Sequence, residues 1–453
     1  MSVPATEIEA RFTRPGDALV DNYLSWGRYP RATHHRVQKV YWQDELPMLL
    51  QEADPGSLLP YGLGRSYGDV CLNDGHELID FSNCNRVLGF DPQSGVIRVE
   101  GGASFADLLT VIVPRGWFLP VTPGTKFVTL GGAIANDVHG KNHHGAGTLG
   151  CHVSQMMLYR SDLGAVVCSP SRNFDLFRAT IGGLGLTGVI GWADLRLKPV
   201  RSNLVEVGTI LFRGMEEFLK LCHDSDRDFE YTVAWVDCFS GQQFRGVFFR
   251  GNHSERQSRA QRQGFAPGVP FDMPDWMLSK CSVRIFNWLY YCSQKLKTRR
   301  TCVHYDPFFY PLDSVPRWNL IYGRRGLVQY QFVIPQSSAE ALERIMALIA
   351  TCGHGSFLAV LKLFGSVASP GLLSFPRPGL TFALDFPMRG EPTLRLLDAL
   401  DEIVFAAGGA IYAAKDARMS PRMFEASYPR WRELLPFIDV KCSSSFWRRV
   451  TGA

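Results

Sequence analysis

The first two hundred residues alternate short apolar runs with glycine turns. HELIDF, GVIRVE and MMLYR each place branched or large apolar side chains between turn residues and read as strands. FADLLTVIVPRG reads as an amphipathic helix that closes before Gly116, and NFDLFRATIGGLG as a short helix running into a glycine-controlled turn. The mixture predicts an α+β unit.

The pattern changes between about 201 and 410. VEVGTILF, FRGVFFR, QYQFVIP and GLTFALDFPM read as strands, while SSAEALERIMALIATCG and PTLRLLDALDEIVFAAGG carry the period of packed helices. Two strand-helix-strand cycles predict a mainly antiparallel α+β substrate domain. An insertion at about 252–303 interrupts it, opening with NHSERQSRAQRQG, passing three prolines and ending in MLSKCSVRIFNWLYYCSQKLKTRR. This stretch is expected to be a mobile insertion: an exposed linker, a lid over an apolar ligand, or a basic and aromatic contact with a membrane surface.

Composition narrows the classes. With 453 residues, 46% hydrophobic and 20% charged, the chain carries more core than one domain usually holds. Its mean hydropathy of −0.05 excludes wholesale disorder and a bundle of membrane helices. The 48 Lys and Arg exceed the 43 Asp and Glu by too little to imply nucleic acid, but suit a phosphate-bearing ligand or an anionic surface. Eleven cysteines without a CxxC pair read as buried thiols in a reducing compartment, not as a disulfide or zinc framework. The start MSVPATEIEARFTRPGD lacks a secretion signal and no 18-residue apolar span follows. The expectation is a cytoplasmic protein, or one held peripherally on the cytoplasmic membrane, with its periplasmic face left open.

Three glycine-rich segments suggest chemistry. In PYGLGRSYGDVCLN, Gly62, Gly64 and Gly68 allow tight turns while Arg65, Ser66 and Tyr67 offer donors, so the loop could hold a diphosphate or be a plain surface turn. It fits neither a P-loop nor a dinucleotide fingerprint. PVTPGTKFVTLGGAIANDVHGKNHHGAGTLG adds Gly131 and Gly132, with Thr122, Thr129 and Asn136 as hydrogen-bonding groups and His139, Lys141, His143 and His144 beyond. The adjacent histidines lack metal-ligand spacing, and no metal is expected. ATIGGLGLTGVIGWADLRL is the third segment. Together they favour an extended redox cofactor over a single phosphate.

SWGRYP, GLGRSYGD, TPGTKFVTLGGAIANDVHGKNHH, GGLGLTGVI, LVQYQFVIP, LKLFG and YAAKDAR occur in that order along nearly the whole chain. In this the sequence resembles the vanillyl-alcohol oxidase/para-cresol methylhydroxylase (PCMH) superfamily of FAD enzymes, and within it the oxidases of prenylphosphoryl ribose. The resemblance implies a two-domain α+β PCMH-type FAD-binding fold with an antiparallel-sheet substrate domain. It assigns 1–200 to the main FAD segment, 201–410 to the substrate domain and 411–453 to a returning FAD segment. It places Gly62, Gly64, Arg65, Ser66, Tyr67, Gly68, Gly124, Thr129, Gly131, Gly132, Asn136, His139, Gly140, Gly185, Val189, Tyr412 and Lys415 around FAD. Many relatives attach the flavin through a histidine of an early loop; Tyr67 stands at that place here, so the FAD is expected to be noncovalent.

For the substrate the resemblance implicates His139, Lys141, Tyr322, Gln329, Gln331, Lys362 and Lys415. Gln329 and Gln331 would share one face of a strand with Tyr330 on the other, to orient a sugar or simply to bond across a sheet. The catalytic candidates are Lys415, His139 and Tyr67. The implied reaction is oxidation of a secondary hydroxyl on a polyprenyl-phosphate-linked pentose, decaprenylphosphoryl ribose to its 2-keto form, with a quinone or oxygen as electron acceptor. An NAD(P)H-dependent keto-sugar reductase would act on the product, and a peripheral membrane contact is expected. The family pattern has Asn and Cys where this chain has Thr381 and Ala383, which alters the polarity and volume of the substrate-binding wall. A soluble aldonolactone or alditol oxidase and a non-catalytic flavin-binding electron carrier stay open as alternatives.

Overall fold

A computed structural model describes residues 23–241, 243–256, 267–295, 300–353 and 356–452. Arg36–Lys39 and Leu58–Tyr61 flank Glu77–Asp80 in a parallel three-stranded sheet. Beside it lies an antiparallel five-stranded sheet in the order Val87–Asp91, Val96–Glu100, Val189–Arg196, Val153–Arg160, Gly164–Cys168. The helix Phe105–Ile112 is set by Ser104, whose hydroxyl accepts from the Asp107 amide, and it stops where Gly116 turns left-handed at φ 78°. Phe105, Leu108, Leu109 and Ile112 make its buried face, against Ile97, Val99 and Leu195 of the sheet.

The second layer is one antiparallel sheet of eight strands. They are β1 (Leu204–Arg213), β2 (Tyr231–Val236), β3 (Arg245–His253), β4 (Thr301–His304), β5 (Leu327–Ile334), β6 (Ala359–Phe364), β7 (Gly379–Pro387) and β8 (Ala410–Ile411), ordered β4-β1-β3-β2-β6-β7-β5-β8. Helices α1 (Gly214–Asp226), α3 (Ala339–Cys352) and α4 (Glu391–Ala406) cover one face, where Phe218, Ile345 and Leu400 meet Phe248, Leu361, Phe382 and Leu384. Strand alternation then turns Gln329, Gln331, Lys362, Thr381, Ala383 and Asp385 to the opposite face. Tyr330 points to the helices as expected, donating to Asp401 at 2.9 Å.

The chain returns at its end to the first layer. Cys442 bridges to Leu58, and Arg449 on the helix Ser445–Thr451 pairs with both Asp69 and Asp416 at 2.8 Å.

Within the insertion the described residues hold a helix that was not predicted: Lys280–Lys295, sixteen residues, is α2, held by Val283, Asn287 and Tyr291 on successive turns, with Asn287 donating to Asp237 at 2.9 Å. Thr301–His304 beyond it is the edge strand β4. The helical period was masked by the outward aromatic residues, and what was expected of 257–266 and 296–299 lies outside the described residues. The expectation of buried thiols needs correction, since Cys281, Cys302 and Cys352 occupy outward positions of α2, β4 and α3. Among the described residues no helix is long and apolar enough to cross a membrane.

Candidate active site

A cavity of about 780 Å³ lies between the glycine loops of the first layer and the open face of the eight-stranded sheet. The loop side is made largely of backbone. A Cβ on Gly62 would run into the Thr129 side chain, and Gly64 sits at φ 59°, so neither position tolerates a side chain. Thr129 caps the short helix Leu130–Ala135 by accepting from the Gly132 amide, and Gly131 donates to Gly101 at 2.7 Å. The Tyr67 amide donates to Ala414, and the Tyr412 hydroxyl donates to the Asn136 carbonyl at 2.8 Å, tying the returning segment across both loops. Leu184 and Gly185, both left-handed, close the third side.

The sheet side is made of polar and charged side chains. Gln331 donates from Nε2 to His139 Nε2 at 3.0 Å and to Thr381 Oγ1 at 3.2 Å, which assigns the His139 proton to Nδ1. Burial, reinforced by Lys362, His143 and Lys415, holds the His139 pKa well below its usual value, so the ring is neutral. Gln329 donates to the buried Asp385 carboxylate. Burial raises that carboxyl to about 7, opposed by the Gln329 bond and by Lys415. Lys415 is lowered to about 8 by burial, with Asp385 acting the other way, and its Nζ stands 4.0 Å over the Tyr67 ring. Burial raises the Tyr67 phenol well above its normal range, Asp385 adding to the effect. Lys362, donating to the Gly140 carbonyl at 3.2 Å, is brought down to about 7 by burial and by Lys141 and Lys415; burial alone lowers Lys141 to about 8.

Of the residues assigned from sequence to FAD, substrate or catalysis, all line the cavity except Gly68, Tyr322 and Thr381; His143 and His144 also lie outside its lining. Gly68 is packed on the Asp416 backbone, where a Cβ would coincide with the carbonyl oxygen; its role is to let two segments touch. Tyr322 lies one layer back, stacked on Phe357 at 5.6 Å, and Thr381 is covered by the Gln331 amide. Asp385 was not anticipated, although it shares the parity of Thr381 and Ala383 on β7. Trp26 and Asp313 also line the wall unforeseen, Trp26 lying 4.1 Å beneath the Arg65 guanidinium.

The residues present fit FAD. Arg65 Nε, Asn136 Oδ1, His139 Nδ1 and Asp385 Oδ2 are buried without hydrogen-bond partners and belong to residues that line the cavity, as polar groups arranged for a bound molecule do. The glycine loops leave room for backbone amides to approach a pyrophosphate, and the wall is rich in cations. The same cavity is lined by an aromatic cluster in which Tyr290 meets Trp235 and Phe286, and Phe286 meets Phe357.

A family model described as an FAD binding domain matches residues 44–169. Decaprenylphosphoryl-β-D-ribose oxidase of Mycolicibacterium smegmatis is 36% identical over 383 residues, covering 82% of each chain. L-gulonolactone oxidase of Mus musculus is 33% identical over 140 residues, 30% of this chain and 31% of that one. Delta(24)-sterol reductase of Homo sapiens is 28% identical over 152 residues, 33% and 29% of the two chains.

Proposed function

The chain belongs to the decaprenylphosphoryl-β-D-ribose oxidase family of FAD-dependent oxidoreductases with a two-domain PCMH-type fold, and from that premise we propose that it oxidises the 2′-hydroxyl of a pentose carried on a polyprenyl phosphate. The observation that carries this reading is that one cavity is lined both by buried lysines beside the FAD loops and by an aromatic cluster that suits a prenyl chain. We assign 1–200 and 411–453 to the FAD domain and 201–410 to the substrate domain: the three- and five-stranded sheets fall within the first segment, all of the eight-stranded sheet but Ile411 falls within 201–410, and the returning segment meets the first through the Leu58–Cys442 bridge and the Arg449–Asp69 pair.

FAD is held noncovalently; Gly62, Gly64, Arg65, Thr129, Gly131, Gly132 and Asn136 would cradle it, and Tyr67, not a histidine, stands in the early loop. When bound it supplies a two-electron acceptor for the hydride leaving the alcohol carbon. Lys415 Nζ, neutral in a useful fraction near pH 8, takes the hydroxyl proton, and the Asp385 carboxylate steadies the ammonium that forms. Loss of that proton and the hydride leaves a ketone. Gln329 and Gln331 hold sugar hydroxyls, His139 donates from Nδ1, and Lys141 and Lys362 neutralise the phosphodiester. Ala383 faces Gln331 and Val360 across the sheet and keeps this part of the wall low. Electrons pass on to a quinone or oxygen, the keto sugar suits an NAD(P)H-dependent reductase, and the enzyme works peripherally at a membrane.

Anaerobic stopped-flow tests the reading. Prenylphosphoryl ribose should bleach the flavin faster than prenylphosphoryl arabinose, free pentoses or aldonolactones. Faster bleaching by a free aldonolactone would make this a soluble sugar oxidase, and exchange only with quinone or a protein partner would make it an electron carrier.

A further inference from the structure

Helix α2 is amphipathic in the wrong sense for a surface helix. Val283, Asn287 and Tyr291 give it a narrow buried stripe, whereas Ile285, Trp288 and Leu289 are 59, 53 and 53% exposed. At about 100° per residue Ile285 and Leu289 fall opposite the stripe, and Trp288 stands to one side, roughly 100° from its centre. Single exposed apolar residues are ordinary, but a whole helix face of them marks an interaction surface.

Two observations fix the occupant. Phe286, Tyr290 and Gln294, on the same helix, line the catalytic cavity, so Leu289 on the exposed side neighbours the cavity's aromatic lining. Beside Trp288 a separate polar cleft of about 410 Å³ is lined by Arg213, Arg245 and Arg284. Arg245 is neutralised by Asp237 at 2.8 Å; Arg213 and Arg284 have no carboxylate partner among the described residues. An apolar face flanked by uncompensated arginines complements an anionic lipid surface.

We propose that α2 docks the enzyme on an anionic bilayer, with Ile285, Trp288 and Leu289 entering the headgroup boundary and a lipid phosphate seated between Arg213 and Arg284. The choice of a lipid surface rests on the prenyl-substrate reading, since the face adjoins the cavity that receives the prenyl chain. A substrate anchored in that bilayer passes Phe286 and Tyr290 to the flavin without its chain crossing water.

Co-sedimentation of the FAD-loaded full chain with phosphatidylcholine vesicles, with and without phosphatidylglycerol, tests it. The wild type should pellet with the anionic vesicles. Trp288→Glu with Leu289→Glu should weaken partitioning roughly tenfold or more, and Arg213→Glu with Arg284→Glu should abolish the preference for anionic over neutral vesicles. Both double variants should reduce flavin at the wild-type rate with a short-chain, water-soluble prenylphosphoryl ribose, which also shows that they fold. Vesicle binding without flavin reduction by any prenylphosphoryl sugar supports the docking surface while removing the substrate reading. Absence of vesicle binding by the wild type, equal binding by the variants, or a dimer that Trp288→Glu dissociates in place of vesicle binding overturns the proposal.

Discussion

The two walls of the cavity are made of different material. The loop wall presents backbone, with glycines wherever another part of the chain comes close. The sheet wall presents side chains, set two apart on neighbouring strands. A wall of backbone has no graded response to substitution, because a Cβ either fits or displaces a segment. A wall of side chains can be changed one group at a time while the strands keep their register.

The sharpest break of that contrast is Gly68→Ala, in the loop that makes the wall but just outside the cavity lining. Its Cβ would coincide with the Asp416 carbonyl, so the returning segment must move; purified protein should lose its flavin absorbance and about 1–3 kcal/mol or more of stability in thermal melts. Retention of FAD and an unchanged Tm would show that the loop wall yields after all. On the sheet side, Lys415→Ala should keep FAD and slow its reduction by about 10²–10⁴-fold in stopped-flow.

The pH profile sharpens the comparison next. Lys415 must be neutral to accept a proton and Asp385 ionised to hold it, so the reduction rate should rise from pH 6 and level above about 8. Asp385→Asn removes the charge that favours the Lys415 ammonium, which moves the inflection to lower pH; an unmoved profile would separate the two groups. Gln331→Leu leaves His139 Nε2 without a donor and should cost about tenfold in kcat/KM with flavin content intact. Ala383→Cys should change turnover least, within a few-fold, yet make the site open to alkylation that wild type resists. The thiol already lining the cavity, Cys71, is pushed up to about 12 by burial and is a poor nucleophile.

The same division explains what was legible in the sequence. Each glycine loop is continuous, so GLGRSYGD and TLGGAIAND exposed the loop wall as motifs. Gln329 and Gln331 were visible because both sit on one strand. Asp385 was not, since its partner Gln329 is on another strand and only their registration makes a site. Reading GLTFALDFP by parity would have found it, as Thr381, Ala383 and Asp385 alternate with the buried Leu380, Phe382 and Leu384. Helix α2 was missed for a different reason, because its outward apolar residues obscured the sparse buried period that holds it.

The contact of Gly68 with Asp416, locked by Arg449 across Asp69 and Asp416, also sets an order of events during synthesis. Roughly 350 residues separate the two partners, about 20–70 s of elongation at ordinary ribosomal rates. Throughout that interval the early loops are complete as sequence but unsealed as a receptor. The cofactor therefore finds its finished seat only once the helix Ser445–Thr451 has been made and packed, so flavin loading waits on residues made long after the loops that hold it.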